Sequence, residues 1–297
     1  MPGAASWGVH PKPGRAVGPS VLRNRAEEAV MSGLIDTGAT KLYYELRGSG
    51  PALLLITGGA GDAGEWAAVA PALADGHTVV TYDRRAMSRS PRPDGWTATS
   101  IAEQADDAAG LLRALEATPA MVVGHSGGAS IACELVARHP ELVRHAVLYE
   151  APLAAVVPDG EAVVAGFRAV IDRAMAEGGP RRAMEAFMRA NASDEVVDQV
   201  LASVPPAELD RILGNGPVLF ELELPMYAGF IPDTDGMRAG GVPLTVVVGA
   251  ENRDTWYGAA AAWLAEGTGA ELVELPGGHG GLFTHPQALV ELVRARR

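Results

Sequence analysis

The stretch Ala120-Met121-Val122-Val123-Gly124-His125-Ser126-Gly127-Gly128-Ala129 is the most chemically informative part of the chain. An apolar run enters the pattern G-x-S-x-G at Gly124, Ser126 and Gly128, and a helix-forming run over 129–138 leaves it. In a strand-to-helix turn this sharp, the residues two before and two after the serine face each other, and side chains there would collide. Such a turn holds the Ser126 hydroxyl at the carboxyl edge of a sheet. It also puts the Gly127 N–H at a helix N-terminus, where negative charge is favoured. The chemistry implied is nucleophilic attack by serine. A glycine-rich turn closing a dinucleotide-binding unit is the competing reading, but no G-x-G-x-x-G follows the first readable strand.

Serine at neutral pH needs a base within hydrogen-bond reach. Of seven histidines, His10 lies near the N-terminus, His77 and His139 at element ends, His145 at a strand start and His285 before Pro286 at a helix start. His125 adjoins Ser126 and must point elsewhere in such a turn. His279 lies in Leu275-Pro276-Gly277-Gly278-His279-Gly280-Gly281, a loop leaving the carboxyl end of the last strand. Loops at that edge of a parallel sheet carry active sites, so His279 is the expected base. A tetrahedral oxyanion needs two donors. Gly127 N–H is one. The second is expected from the loop after the third strand, Ile56-Thr57-Gly58-Gly59-Ala60-Gly61-Asp62, if one edge strand precedes those readable here. Gly59 N–H is the expected donor, with Gly58 as fallback. Phosphate cradling by this loop would need the P-loop lysine, which is missing.

These residues need a frame to position them. Strand patterns cover 41–46, 52–57, 78–82, 120–124, 146–149, 243–248 and 271–275, mostly short, apolar and β-branched. Amphipathic helix patterns cover 66–72, 100–114, 127–138, 257–266 and 286–294. The alternation predicts an α/β fold, a mostly parallel sheet flanked by helices. Strands 41–46 and 52–57, joined by Gly48-Ser49-Gly50-Pro51, read as an antiparallel hairpin at the sheet edge. Residues 153–238 break the alternation with helical spacing, as at Phe167, Ile171 and Met175, and no good strand. They read as an inserted helical cap between core segments 31–152 and 239–297. Most of its apolar residues must pack helices; a minority would line an apolar pocket between cap and core. Residues 1–30 are rich in Pro and Gly and read as a disordered tail, or as an over-extended start with Met31 the true initiator.

The 297 residues are 48% hydrophobic and 20% charged, a globular rather than a disordered composition. The net charge of −12 argues against nucleic acid and against an anionic membrane surface as partners. A lone cysteine, Cys133, rules out a disulfide framework and reads as a small core residue. No His/Asp/Glu cluster has metal-ligand spacing, so no metal or cofactor is expected. No run is apolar enough for a signal peptide or a membrane span, which makes the cytoplasm the expected compartment. The expected partner is a small-molecule substrate, with the chain a monomer or homodimer. Trp66 could line a pocket or sit in the core. Arg84 and Arg85 could meet an anionic substrate, but pairing with Asp83 or nearby carboxylates is the plainer reading.

Together these pieces resemble the α/β-hydrolase superfamily from about residue 42 to the end, with the cap as the least matched part. Tyr82-Asp83-Arg84-Arg85-Ala86-Met87-Ser88-Arg89-Ser90 is similar to a family loop that usually has an Asp-Arg pair then Gly; Ala86 stands where that Gly often is. The chain looks most like actinobacterial members of serine-hydrolase type with esterase or lactonase character. The resemblance implies the order Ser, acid, His, which Ser126 and His279 fit. Its usual acid position, three residues after a Gly at the end of the penultimate strand, holds Asn252. An amide cannot carry the charge that stabilises an imidazolium. Three carboxylates could substitute. Glu150 follows the strand at 146–149, where some superfamily members place their acid; it is ranked first, then Glu251, then Asp254.

The function so implied is a serine hydrolase of an ester, thioester or lactone of a small, largely apolar molecule. The fold also hosts cofactor-free oxygenases, lyases and cyclases that use the histidine as base, and Asn252 is the chief support for that alternative. A non-enzymatic ligand receptor on the same fold is a third reading, opposed by the intact Ser126 and His279.

Overall fold

A computed structural model describes residues 30–296. The expected N-terminal tail, apart from Val30, lies outside the described residues, as does His10. Eight strands form one sheet: β1 (Met31–Asp36), β2 (Lys41–Arg47), β3 (Ala52–Ile56), β4 (Thr78–Tyr82), β5 (Ala120–His125), β6 (Val143–Tyr149), β7 (Leu244–Gly249) and β8 (Glu271–Leu275). Their order is β1-β2-β4-β3-β5-β6-β7-β8. From β4 to β8 every pairing is parallel, while β2 runs antiparallel to both β1 and β4. The edge strand required before the readable ones is β1.

The expected hairpin between the second and third strands does not form. β2 pairs with β1 and β4, and β3 with β4 and β5. Gly48 and Gly50, at φ +70 and +131, turn against the backbone of Ala74, Gly76 and His77, which leads into β4. The turn reverses the chain, but β4 fills the place beside it. The all-apolar β3 thereby gains a parallel partner on each edge, and β2, with Lys41, Glu45 and Arg47, stays near the sheet edge. The single helix expected over 66–72 is also absent. A 3₁₀ turn, Ala63–Trp66, and a short helix, Ala70–Leu73, replace it. Pro71 is the cause, because its nitrogen carries no hydrogen for a continuing helix.

Alternation along the strands divides the core between the two faces. Leu54, Ile56, Val80, Val122, Leu148, Val246 and Val248 face helices Ile101–Ala114, Gly127–Arg138 and Trp256–Thr268. Leu53, Leu55, Val79, Met121, Val123, Val147 and Val247 face Trp66, Leu73 and the helix Pro286–Ala295. Trp66 is thus a core residue. Cys133 is likewise buried, as a free thiol.

Between β6 and β7 the chain is helical. The longest piece, Gly160–Asn191, breaks at Gly178 and Gly179 and resumes at Pro180. Helices Asp194–Ser203 and Pro206–Leu213, a π turn Leu219–Glu223 and short helices Leu224–Ala228 and Thr234–Ala239 follow. Among the described residues no helix is long and apolar enough to cross a membrane.

The turn between β5 and helix Gly127–Arg138 depends on its glycines. A Cβ on Gly124 would lie 2.3 Å from Gly128 O, and one on Gly128 would lie 2.2 Å from Ile56 O. Both obstacles are backbone, which cannot swing aside as a side chain can. Gly128→Ala is therefore expected to destabilise the fold by roughly 3 kcal/mol or more. Urea unfolding checks this, and a loss under 1 kcal/mol would show that the turn relaxes.

Candidate active site

The carboxyl ends of β3 to β8 all deliver residues to one edge of the sheet. Ser126 follows β5 with φ +54 and ψ −126 and caps helix Gly127–Arg138 without a side-chain cap bond, so its hydroxyl is not used structurally. Glu150 follows β6 with φ +47. Two neighbouring strands therefore end in non-glycine residues held in left-handed backbone, a strain that clusters at functional sites. Backbone bonds from Ser126 N to Tyr149 O (2.9 Å) and from Glu150 N to Val247 O (3.0 Å) hold both in place.

The Glu150 carboxylate is buried and fully engaged. Oε2 accepts from His279 Nδ1 at 2.7 Å, and Oε1 accepts from Gly249 N at 2.8 Å. Asn252 Nδ2 donates to both oxygens, at 3.1 and 2.9 Å. The amide at the family's usual acid position thus serves as a donor to the carboxylate on the neighbouring strand. Burial by itself would raise the Glu150 carboxyl, but the bonds from His279, Gly249 and Asn252 outweigh it and hold the group below the usual value. Glu251 and Asp254 are exposed, and Asp254 lies 3.6 Å from Arg253. Neither is paired with His279.

His279 itself is buried, with Tyr257 stacked on it at 4.5 Å between ring centroids. Burial disfavours its imidazolium and lowers its pKa from 6.5; the bond to Glu150 opposes this, and His125 adds to the lowering. With Nδ1 bonded to Glu150, the other ring nitrogen is the one available for exchange with a hydroxyl. An imidazole held in this way can take a proton at its free nitrogen, while the carboxylate orients the ring and balances its charge.

His125 does point away from the reacting groups, and it joins three loops. Its Nδ1 lies 2.9 Å from Glu65 Oε1 and its Nε2 lies 3.0 Å from the His279 carbonyl oxygen. With a carboxylate at one ring nitrogen and a carbonyl at the other, the surroundings of His125 favour its imidazolium form. Burial opposes that charge, but Glu65 outweighs burial and raises the pKa. Glu65 also accepts from Gly58 N at 3.2 and 3.1 Å, which occupies the fallback donor. Gly59 and Gly127 instead border the cavity beside Ser126.

Arg84, completely buried, ties the helical segment between β6 and β7 to this edge. It forms a bidentate pair with Glu223 of the π turn, Nη2 to Oε2 at 2.9 Å, and donates to the carbonyls of Gly58 (3.0 Å) and Gly59 (3.1 Å). Gln104 adds a bond to Glu223 at 3.2 Å. Asp83 pairs not with Arg84 but with Arg89 at 2.7 Å, and Arg85 takes Asp107, at 2.7 and 2.5 Å, and Glu103. Sequence reading flagged Arg84 without its partner and passed over Glu65 and Glu223. Isolated carboxylates in polar or helical stretches carry no signal of burial.

The cavity over Ser126 has two lobes. The first, about 160 Å³, is bounded by Gly59, Gly127 and apolar residues including Val164, Phe167, Leu224 and Trp256. The second, about 330 Å³, is bounded by His125, His279, Glu65 and a stripe of Val196, Val197 and Val200. Ser126, Gly59, Phe187 and Asn191 border both. Among the described residues, no three His, Cys, Asp or Glu side chains are grouped to hold a metal ion.

Residues 51–184 match the family model described as the alpha/beta hydrolase fold. The uncharacterized hydrolase YraK of Bacillus subtilis (strain 168) is 31% identical over 85% of this chain and 90% of its own length. The chain belongs to the α/β-hydrolase family. This hydrolase is also 33% identical to the 2-(acetamidomethylene)succinate hydrolase of Mesorhizobium japonicum, over 41% of this chain and 43% of that protein. Among solved structures, the enol-lactonase from Burkholderia xenovorans LB400 superposes with a TM-score of 0.69 at 22% identity, covering 89% of the hydrolase and 98% of that chain. At that identity the likeness is one of fold.

The Arg84–Glu223 pair yields a prediction. Glu223→Ala leaves a buried guanidinium uncompensated and is expected to cost about 3–5 kcal/mol. Denaturant unfolding measures it, and a cost under 1 kcal/mol would mean that the pair does not anchor the cap.

Proposed function

We propose that this hydrolase cleaves a neutral, largely apolar carboxylic ester, thioester or lactone through a covalent acyl-enzyme. His279 takes the Ser126 proton as the serine oxygen attacks the carbonyl carbon. The N–H groups of Gly59 and Gly127 receive the oxyanion. Glu150 orients His279 and stabilises its cation. The imidazolium then protonates the leaving oxygen or sulfur, and a water activated by His279 releases the acid. The reading rests on one observation above all, the 2.7 Å contact of Glu150 with His279 in a cavity that Ser126 also borders.

The lobes support a division of the substrate. Only the second is bordered by His279, so the leaving group belongs there, and the acyl limb belongs in the first. Neither lobe offers a free buried cation to an anionic substrate, because the His125 ring at the second lobe is taken by Glu65 and the His279 carbonyl. Arg84 is engaged by Glu223, and Arg168 at the first lobe is exposed beside Asp172. The use of Asn252 as a donor to Glu150 takes away the chief support for a non-hydrolytic reaction.

A fluorophosphonate probe tests the chemistry. Labelling is expected in the native protein and lost in Ser126→Ala; no labelling of folded protein would sink the proposal. Glu150→Gln is expected to lower kcat by about 10³–10⁴-fold, with Glu251→Gln and Asp254→Asn within twofold of the parent. Full turnover in Glu150→Gln would remove Glu150 from the role.

The acid limb of the pH profile is a separate check. His279 works as a base only when neutral, and its pKa is lowered from 6.5. Activity is therefore retained as pH falls until a midpoint below 6.5. A midpoint in kcat/KM at or above 7 would contradict this.

A further inference from the structure

Tyr227 stands in the short cap helix Leu224–Ala228 with 5% of its surface exposed. Its ring lies against the backbone at both expected oxyanion donors. A Cβ on Gly127 would sit 2.5 Å from Tyr227 Cζ and 2.6 Å from its hydroxyl oxygen, and one on Gly59 would sit 3.9 Å from Cε2. The hydroxyl is buried and has no hydrogen-bond partner among the described residues. Tyr227 also borders the cavity lobe that contains Gly59, Ser126 and Gly127. Buried hydroxyls are normally partnered, and one left without a partner beside a reaction centre calls for a reason.

We infer that the Tyr227 hydroxyl is a third donor to the substrate's carbonyl oxygen, completing the oxyanion site from the cap side. This rests on the reading of Ser126 as nucleophile. As the carbonyl carbon becomes tetrahedral, its oxygen gains a full charge, and the phenol O–H strengthens its bond to that oxygen without giving up its proton. Burial favours this role, since it pushes the phenol well above its usual pKa and keeps the proton in place. Beside the apolar walls of this lobe, such a donor is worth more than in bulk water.

The anchoring of the cap fits the same role. Glu223 lies four positions before Tyr227, one helical turn away. Arg84 holds Glu223 through both Nη1 and Nη2, and Nη2 also donates to the Gly58 and Gly59 carbonyls. A single side chain therefore sets the cap turn that carries Tyr227 and the core loop that carries Gly59 in register with each other. The third donor is present only when the cap is seated.

Tyr227→Phe tests this in the full chain, because the change removes one oxygen that has no hydrogen-bond partner among the described residues. With an apolar ester as substrate, kcat is expected to fall about 10- to 100-fold with KM changed less than threefold. Inhibition by an alkyl trifluoromethyl ketone, which adds to serine to form an oxyanion, should weaken by a similar factor. The melting temperature should stay level or rise, a combination that a merely structural tyrosine would not give. If kcat and ketone inhibition both stay within twofold of the parent, Tyr227 is not a donor. A fluorophosphonate control separates the two levels: labelling at Ser126 in parent and variant places any failure with Tyr227, whereas no labelling of the parent overturns the nucleophile and this role with it.

Discussion

A carboxylate removed from water must find partners, and at Glu150 that requirement organises the whole edge of the sheet. The side chain is almost wholly shielded from solvent. Its oxygens take a backbone N–H from the end of β7, an amide from the loop that follows, and the imidazole of the loop after β8. Three segments are pinned to one charge. Ordering His279 is one consequence of satisfying Glu150. The left-handed backbone of Glu150 is the accompanying strain, tolerated because the surrounding bonds over-determine it.

A second buried charge plays the corresponding part for the cap. Arg84 and Glu223 lie 139 positions apart, and both side chains are fully buried. Such a pair adds little stability compared with apolar residues, but it fixes position, since neither partner can leave the other without a large penalty. Its placement at the Gly58–Gly59 carbonyls couples the seating of the cap to the shape of the loop below. Glu65 and His125 form a third pair on the far side of the same loop. The glycine loop after β3 is therefore gripped from both sides, with the Gly58 N–H committed and Gly59 left at the cavity.

The sequence by itself determined the frame. Short apolar strands alternating with amphipathic helices specify a parallel sheet, because a strand buried on both faces has no other low-energy surroundings. The spacing of Gly124, Ser126 and Gly128 specifies the turn for a local steric reason, legible over five residues. The loop of His279 is placed by being last in the alternation. Local patterns of this kind depend on neighbours within one or two turns of chain, and sequence displays those directly.

What the sequence left open was decided by contacts between distant residues. Glu150, Glu251 and Asp254 are chemically alike, and only the pairing of β6 with β7 puts the first beneath His279 and leaves the others in solvent. Asn252 reads as a defect in one dimension and becomes a donor in three. The Gly48–Pro51 turn specifies reversal but not which strand lies alongside, so β4 could enter between β2 and β3. Arg84 finds Glu223, and Tyr227 covers Gly127, through the seating of the cap. Charge pairing and steric fit act over a few ångströms of space whatever the separation along the chain, and tertiary structure alone brings those residues that close.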